Sequence, residues 1–309
     1  MTYRIGDIPR IGPSVITIGV FDGVHLGHRQ ILAETVRVAR ESGARSAALV
    51  FSPHPDEVLR PDTVVERLLP PEETLARISA TGINEPLEIV FDDALRALTP
   101  EEFLAELEPS IELRGMAMGA GSAFGRGRTG TPERVAQIGA LRGFHVTTVK
   151  PVLLDGEPIS SSRTRVALRA GDLDRVRRLM GDSPLLRGVV VAGDRRGRTL
   201  GFPTANLAFG YSAALPTLGI YLGRVSVAER GVGPGHPALV SVGVRPTFHD
   251  SGHVLVEAYL LDWDGDLYDA TLDLELVTRL RDELRFDSAD ELIAQMRADE
   301  TEARRLIGG

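Results

Sequence analysis

Residues Val15-Ile16-Thr17-Ile18 form an apolar run, and the chain leaves it through Gly19-Val20-Phe21-Asp22-Gly23-Val24-His25-Leu26-Gly27-His28. The next residues, Arg29 to Val36, carry apolar side chains at helical spacing. A buried strand, a Gly-rich turn and a helix therefore follow one another without a spacer, as a parallel sheet covered by helices requires. Three glycines and two histidines occupy the turn. Free backbone N–H groups and the positive helix end favour phosphate there, and glycine lets the main chain approach it closely. His25 and His28 are three apart and share a face of the first helical turn. Two imidazoles facing a polyphosphate can donate hydrogen bonds to charge developing on it. The plainer alternative is a helix cap and a surface histidine in a common kind of turn.

The same alternation continues to about Met180. Strand-like runs fall at Val15–Ile18, Ser46–Phe51, Leu87–Phe91, Met116–Met118 and Phe144–Val149, with helical patterns at Arg29–Glu41, Pro71–Ala80, Pro100–Leu107 and Pro132–Leu141. Thr99-Pro100-Glu101-Glu102 predicts a capping box with a first-turn proline, and Thr131-Pro132 repeats the cap and proline. In a parallel sheet of this kind ligands bind at the carboxyl ends of the strands, where the histidine turn falls. Gly181-Asp182-Ser183-Pro184 is a turn cluster, and the rhythm changes beyond it. Leu186–Ala192, Ile220–Val227, Ala238–Val244, Val254–Leu261 and Thr271–Val277 are short β-rich runs separated by turns such as Gly231–Gly235. They predict a small antiparallel barrel, closed by a helix from Ser288 to Leu306. Domains of 1–182 and 183–309 follow.

The chain of 309 residues is 43% hydrophobic and has no cysteine, so disulfides and thiolate zinc sites are excluded. No apolar run is long enough to span a bilayer, and the N-terminus lacks a signal-peptide core. A cytoplasmic chain with no membrane partner is expected. The net charge of -8 argues against a nucleic-acid binder. Lys150 is the only lysine, and Pro151 follows it. A Walker A loop needs Gly-Lys-Ser/Thr, so P-loop kinases and GTPases are excluded.

Four further stretches carry chemistry. Ser160-Ser161-Ser162-Arg163-Thr164-Arg165 precedes a helix at Val166–Ala170, and its hydroxyls and guanidinium groups suit a triphosphate; a serine cap with a solvated arginine face is the alternative. Phe51-Ser52-Pro53-His54-Pro55 ends a strand at the same sheet edge. Gly193-Asp194-Arg195-Arg196-Gly197-Arg198-Thr199-Leu200-Gly201-Phe202-Pro203-Thr204-Ala205-Asn206 is a Gly- and Arg-rich loop running into a turn. Its N–H groups can cradle phosphates, and oxygens of Thr204 and Asn206 are hard ligands suited to Mg2+; a solvated basic hairpin is the alternative. Glu257 lies in the strand Val254–Leu260, as a solvent-facing edge charge or a general base. Gly119-Ala120-Gly121-Ser122-Ala123-Phe124-Gly125 nearly matches a dinucleotide fingerprint, but no helix opens there and no acidic residue is placed for a ribose.

The histidine turn resembles the His-x-Gly-His signature of nucleotidylyltransferases. In its longer form it resembles the bacterial bifunctional riboflavin kinase/FMN adenylyltransferases, or FAD synthetases, with Val20 where that family usually has Asn. The resemblance extends through Ser160–Arg165, through the Gly193–Asn206 run, and through Gly219-Ile220-Tyr221, Gly243–Phe248 and Leu280–Phe286, in family order. It implies a Rossmann-like N-terminal adenylyltransferase domain and a C-terminal riboflavin kinase barrel. ATP would phosphorylate riboflavin to FMN, and a second ATP would adenylylate FMN to FAD with Mg2+. By resemblance His25, His28, Arg165 and Glu257 are catalytic, with Glu257 as the general base. Gly19, Phe21, Asp22, Gly27, Ser160, Ser161, Gly193, Arg198 and Gly201 bind ATP. Pro53, His54 and Phe124 lie near flavin, and Thr204 and Asn206 hold the metal. Small molecules are the expected partners, and a monomer or weak homo-oligomer the expected state. Gly121 and Ser122 replace an Asp and a Phe of the family. That departure implies a runner-up, a riboflavin kinase whose N-terminal domain is weak or regulatory.

Overall fold

A computed structural model describes residues 1–193, 201–244 and 254–307. The chain divides into two compact units, Met1–Glu66 with Pro71–Ser161, and Arg67–Pro70 with Ser162–Gly309.

In the first unit the strands are β1 (Thr2–Tyr3), β2 (Gly12–Gly19), β3 (Arg45–Ser52), β4 (Glu85–Val90), β5 (Ile111–Gly119) and β6 (His145–Val149), with a two-stranded hairpin of β7 (Leu153–Leu154) and β8 (Glu157–Pro158). The helices are α1 (Leu26–Glu41), α2 (Pro55–Leu59), α3 (Pro71–Ala80), α4 (Asp93–Ala97), α5 (Pro100–Leu107) and α6 (Pro132–Arg142). The six-stranded sheet has the order β1-β4-β3-β2-β5-β6, and every pairing in it is parallel. From β2 the chain moves outward through β3 and β4, then returns to the other side of β2 as β5 and β6. The strand order thus reverses between β2 and β5, and the region beyond their carboxyl ends is the usual ligand position in such sheets.

Physical reasons for these elements are local. Val15, Ile16 and Thr17 of β2 are buried without interruption, as a central parallel strand covered on both faces must be. Helix α1 packs Leu32, Val36 and Ala39 inward. The expected capping box is present: Glu102 N–H donates to Thr99 Oγ1 at 3.2 Å, and Thr99 N–H donates to the Glu102 carboxylate at 2.7 Å. Phe103, Leu104 and Leu107 of α5 join Ile16, Leu49, Ile89 and Met116 of the sheet in one core. The near-fingerprint at Gly119–Gly125 opens no helix; a short 3-10 turn, Arg126–Arg128, precedes α6.

Two more helices follow, α7 (Ser161–Arg169) and α8 (Leu173–Met180); within the second unit, Arg177 of α8 donates to the carbonyl of Val277. The second unit is a closed antiparallel barrel of order β10-β13-β12-β11-β14-β9. Its strands are β9 (Leu185–Val191), β10 (Ala205–Ala208), β11 (Gly219–Val227), β12 (Val232–Val244), β13 (Val254–Leu260) and β14 (Thr271–Arg281), and α9 (Ala289–Ile307) follows. Closure leaves no sheet edge. In β13, Val256, Ala258 and Leu260 are buried, and Leu255, Glu257 and Tyr259 alternate onto the other face. Part of that outer face is covered: Leu222, Leu239 and Leu261 pack with Ala303 of α9, and Tyr259 leans on the cluster. Arg281 of β14 pins α9 by donating to both carboxylate oxygens of buried Asp299, at 2.8 and 2.6 Å.

Three sequence expectations need correction. The Pro-Thr-Ala-Asn segment is a turn only up to Thr204; Ala205–Ala208 is the sixth barrel strand, paired with β9 and β13. Helix α7 begins at Ser161 rather than Val166, because a polar first turn hides the helical period. The Gly231–Gly235 run turns at Gly231, and β12 already starts at Val232. No helix among the described residues is long and apolar enough to cross a membrane.

Candidate functional site

The turn after β2 is wound tightly. Phe21, Gly23 and Val24 all have left-handed backbone, with φ of 55°, 81° and 38°. Such a conformation is costly for a β-branched residue and persists only where the surroundings enforce it. Here Val24 is fully buried, its N–H donates to the carbonyl of Phe21 at 2.9 Å, and its own carbonyl accepts from Arg29 Nε at 3.0 Å.

The turn delivers His25 to the N-cap of α1. His25 Nδ1 accepts a hydrogen bond from the backbone N–H of His28 at 3.2 Å. The two imidazoles stack, with ring centroids 3.6 Å apart and 15° between planes, and Phe21 meets His28 edge-on at 5.2 Å. Gly27 keeps this stack possible, since a Cβ there would lie 3.2 Å from the His25 ring. Gly19, the last residue of β2, similarly faces the Phe21 ring, and Asp22 is buried in the turn.

Burial lowers the pKa of His25 to about 4. Burial, and then the neighbouring His25, hold His28 well below the ordinary histidine value. Both rings are neutral near pH 7. Because Nδ1 of His25 is the acceptor of the cap, its proton sits on Nε2, which is left to donate. Nδ1 of His28 is buried and has no hydrogen-bond partner among the described residues. A buried polar atom without a partner points to a group that arrives from outside.

The second motif meets the first. Ser161 Oγ donates to the carbonyl of Asp22 at 2.9 Å, across 139 residues of sequence. Ser160 directly precedes α7, and Arg165 lies one turn beyond Ser161 on the same helix.

Pro53, His54 and Phe124 are placed differently. His54 caps α2: its Nδ1 accepts from Asp56 N–H at 3.0 Å, and its own N–H donates to Glu57 at 3.1 Å. Pro53 lies between β3 and that cap. Phe124 is 7% exposed and packs on Phe103 in the core, with ring centroids 5.1 Å apart. Gly121 is exposed, and a Cβ added there meets nothing within 4 Å.

On the barrel, Asn206 of β10 stands directly opposite Glu257 of β13. Val191 and Ser241 continue the row on the flanking strands. Directly paired residues share a face, with Cβ atoms about 5 Å apart. Glu257 is therefore no edge-strand charge: β13 is paired on both sides, and its carboxylate is half-buried on the outer face beside a buried carboxamide. Thr204 is half-buried just before β10, and Gly201 is exposed with φ 87°. Phe202 between them packs edge-on against Tyr259 at 5.2 Å. Arg198 and the rest of 194–200 lie outside the described residues, as do Arg245–Phe248 of the second barrel motif.

Sequence reasoning did not reach Arg29, Ser241 or the Phe202–Tyr259 pair. Arg29 follows the histidine motif immediately, but only the fold aims it back at Val24. The other three depend on strand register.

A parallel sheet with a Gly-rich histidine turn at its switch point, followed by a closed barrel with a carboxylate–carboxamide pair on its wall, fits the class of two-unit nucleotide-handling proteins. Comparisons with known proteins make this specific. A family model described as FAD synthetase matches residues 8–163, and one described as riboflavin kinase matches 180–307. The bifunctional riboflavin kinase/FMN adenylyltransferase of Pseudomonas fluorescens is 37% identical over 297 residues, covering 94% of this chain and 92% of that protein. Its Escherichia coli K12 counterpart is 34% identical over 307 residues, covering 99% and 96%. A solved structure from Streptococcus pneumoniae, described as a macrolide-efflux protein, superposes with a TM-score of 0.89 at 29% identity, covering 98% of both chains. The chain belongs to the bifunctional riboflavin kinase/FMN adenylyltransferase family.

Proposed function

We propose that this chain phosphorylates riboflavin to FMN on the barrel and adenylylates FMN to FAD on the α/β unit. The observation that carries the reading is a paired one. Each unit brings together motif pieces that are far apart in sequence: Ser161 on the carbonyl of Asp22, and Asn206 opposite Glu257. Family membership across both halves supports the same two activities, rather than a kinase with an idle partner. The functional domains are 1–182 and 183–309. The left-handed cap at Gly181 and the riboflavin kinase match from residue 180 support that boundary, whereas the compact units divide earlier, after Ser161.

In adenylyl transfer an FMN phosphate oxygen bonds to the α-phosphorus of ATP, and the bond from that phosphorus to the bridging oxygen breaks. Pyrophosphate leaves, so no covalent enzyme intermediate is needed. Rate enhancement then comes from positioning and from stabilising charge on the phosphates. The Nε2–H of His25, the ring of His28, Ser161 and Arg165 are assigned to that charge, with Ser160 and the backbone of Gly19, Phe21, Asp22 and Gly27 shaping the ATP cradle. Pro53, His54 and Phe124 are assigned near the flavin; His54 and Phe124 act there by shaping the wall, since one is committed to a cap and the other to the core.

In riboflavin phosphorylation the 5′-hydroxyl oxygen bonds to the γ-phosphorus of ATP, ADP leaves, and Glu257 accepts the hydroxyl proton. Gly193, Arg198 and Gly201 are assigned to ATP. Among the described residues no three His, Asp or Glu side chains could together hold a metal. A hydroxyl and a carboxamide oxygen, from Thr204 and Asn206, nevertheless suit Mg2+ already carried by phosphates. Bound there, the cation would neutralise charge on the transferring phosphoryl group. Small-molecule substrates, a cytoplasmic setting and a monomer or weak homo-oligomer complete the proposal.

The test is a pair of variants in the full chain. His28→Ala should abolish most FAD formation and leave FMN formation nearly intact, and Glu257→Gln should do the reverse. Equal loss of both activities in either variant would refute the assignment.

A further inference from the structure

Gly193 stands where β9 runs out, two residues beyond Val191. Val191 is the ladder partner of Asn206. In an antiparallel pair a residue two positions along is a diagonal neighbour on the same face. A side chain at 193 would therefore rise on the face that carries Asn206 and Glu257. Gly193 is not among the glycines with left-handed backbone, so conformation does not demand glycine here. Space does. A Cβ built on Gly193 falls 2.7 Å from Cγ and 2.8 Å from Oδ1 of Asn206, and nearer still to Nδ2. All three ends of the carboxamide occupy the room that the missing side chain leaves. Asn206 is 8% exposed.

A carboxamide on a short stem has a few staggered χ1 choices, and alternatives cost little when nothing walls them off. On this face the bare backbone of Gly193 accepts the one that stands opposite Glu257. A methyl group at 193 would exclude it and force another rotamer or a shift of the strand.

We propose that Gly193 is a positioning residue: its absent side chain is the seat of the Asn206 carboxamide, and it fixes the oxygen that would be offered to a cation carried by the phosphates. The inference rests on the kinase reading of the barrel. It separates Gly193 from glycines that only let a phosphate approach the main chain, because its effect passes through Asn206.

A crystal structure and a double-mutant cycle in the full chain test it. In Gly193→Ala the Asn206 χ1 should move to a different well. Riboflavin phosphorylation should lose at least about tenfold in kcat, KM for riboflavin should change less than about twofold, and the Mg2+ concentration for half-maximal rate should rise. In an Asn206→Ala background, Gly193→Ala should add less than about a twofold further loss, because the clash is gone. If Gly193→Ala fails to fold, the double variant should regain the melting temperature of Asn206→Ala alone. An unmoved Asn206 in the Gly193→Ala crystal overturns the proposal. So do losses that multiply in the cycle, or a double variant that stays unfolded. A wild-type chain that leaves riboflavin unphosphorylated contradicts the kinase reading instead, and the rotamer measurement still decides the seat.

Discussion

His25 spends the nitrogen that would take up a proton on capping α1, and it is buried while doing so. Its folded pKa of about 4 lies below the 6.5 of an unfolded chain. Between those values the unfolded state binds a proton that the folded state refuses, so stability rises with pH across that window and is lost on acidification. His28 acts in the same direction. For His25 the loss from pH 6.5 to 4 is on the order of 2–3 kcal/mol. His25→Asn keeps a good N-cap and removes the titration. Denaturant unfolding at a series of pH values should therefore show a shallower acid slope for the variant; parallel slopes would contradict this account of the site. For activity, removing one charge-stabilising donor costs about 10²–10³ in rate, so FAD formation in His28→Ala should fall by about that factor.

At the scale of elements, what sequence could reveal was whatever depended on near neighbours. The capping box at Thr99–Glu102 and the α1 stripe are set by residues three or four apart, and both are found as read. The Ala205–Ala208 strand was hidden because four residues behind a proline show no alternation, and only pairing with β9 and β13 makes it a strand. The same blindness covered the site. The His25/His28 pair was legible from spacing, but the Ser161–Asp22 bond exists only once the turn after β2 meets the start of α7, and the seat of Asn206 only once β9 and β10 are in register. The Arg281–Asp299 pair is a further case: it ties β14 to α9, and Gln295 completes it with a 2.9 Å bond to the carboxylate. Asp299→Ala leaves Arg281 without its buried counter-charge. Such a loss costs about 3 kcal/mol or more. Chemical denaturation should read that drop; a change under about 0.5 kcal/mol, the size of a neutral surface substitution, would show the pair does not hold α9.

For the molecule as a whole, the groups assigned to adenylyl transfer, Arg165 apart, belong to the first compact unit, and those assigned to phosphorylation belong to the second. The two half-reactions should then be separable by mutation. A mixture of His28→Ala and Glu257→Gln chains should make FAD from riboflavin and ATP, because one variant supplies FMN and the other consumes it; no FAD from the mixture would mean that FMN does not pass between chains. The central claim is that the N-terminal unit is a working adenylyltransferase in its own right. Purified full-length protein incubated with FMN, ATP and Mg2+, without riboflavin, isolates that step. The account predicts FAD and pyrophosphate in equal amounts, both lost in His28→Ala. A preparation that phosphorylates riboflavin but leaves FMN unchanged under these conditions would contradict it.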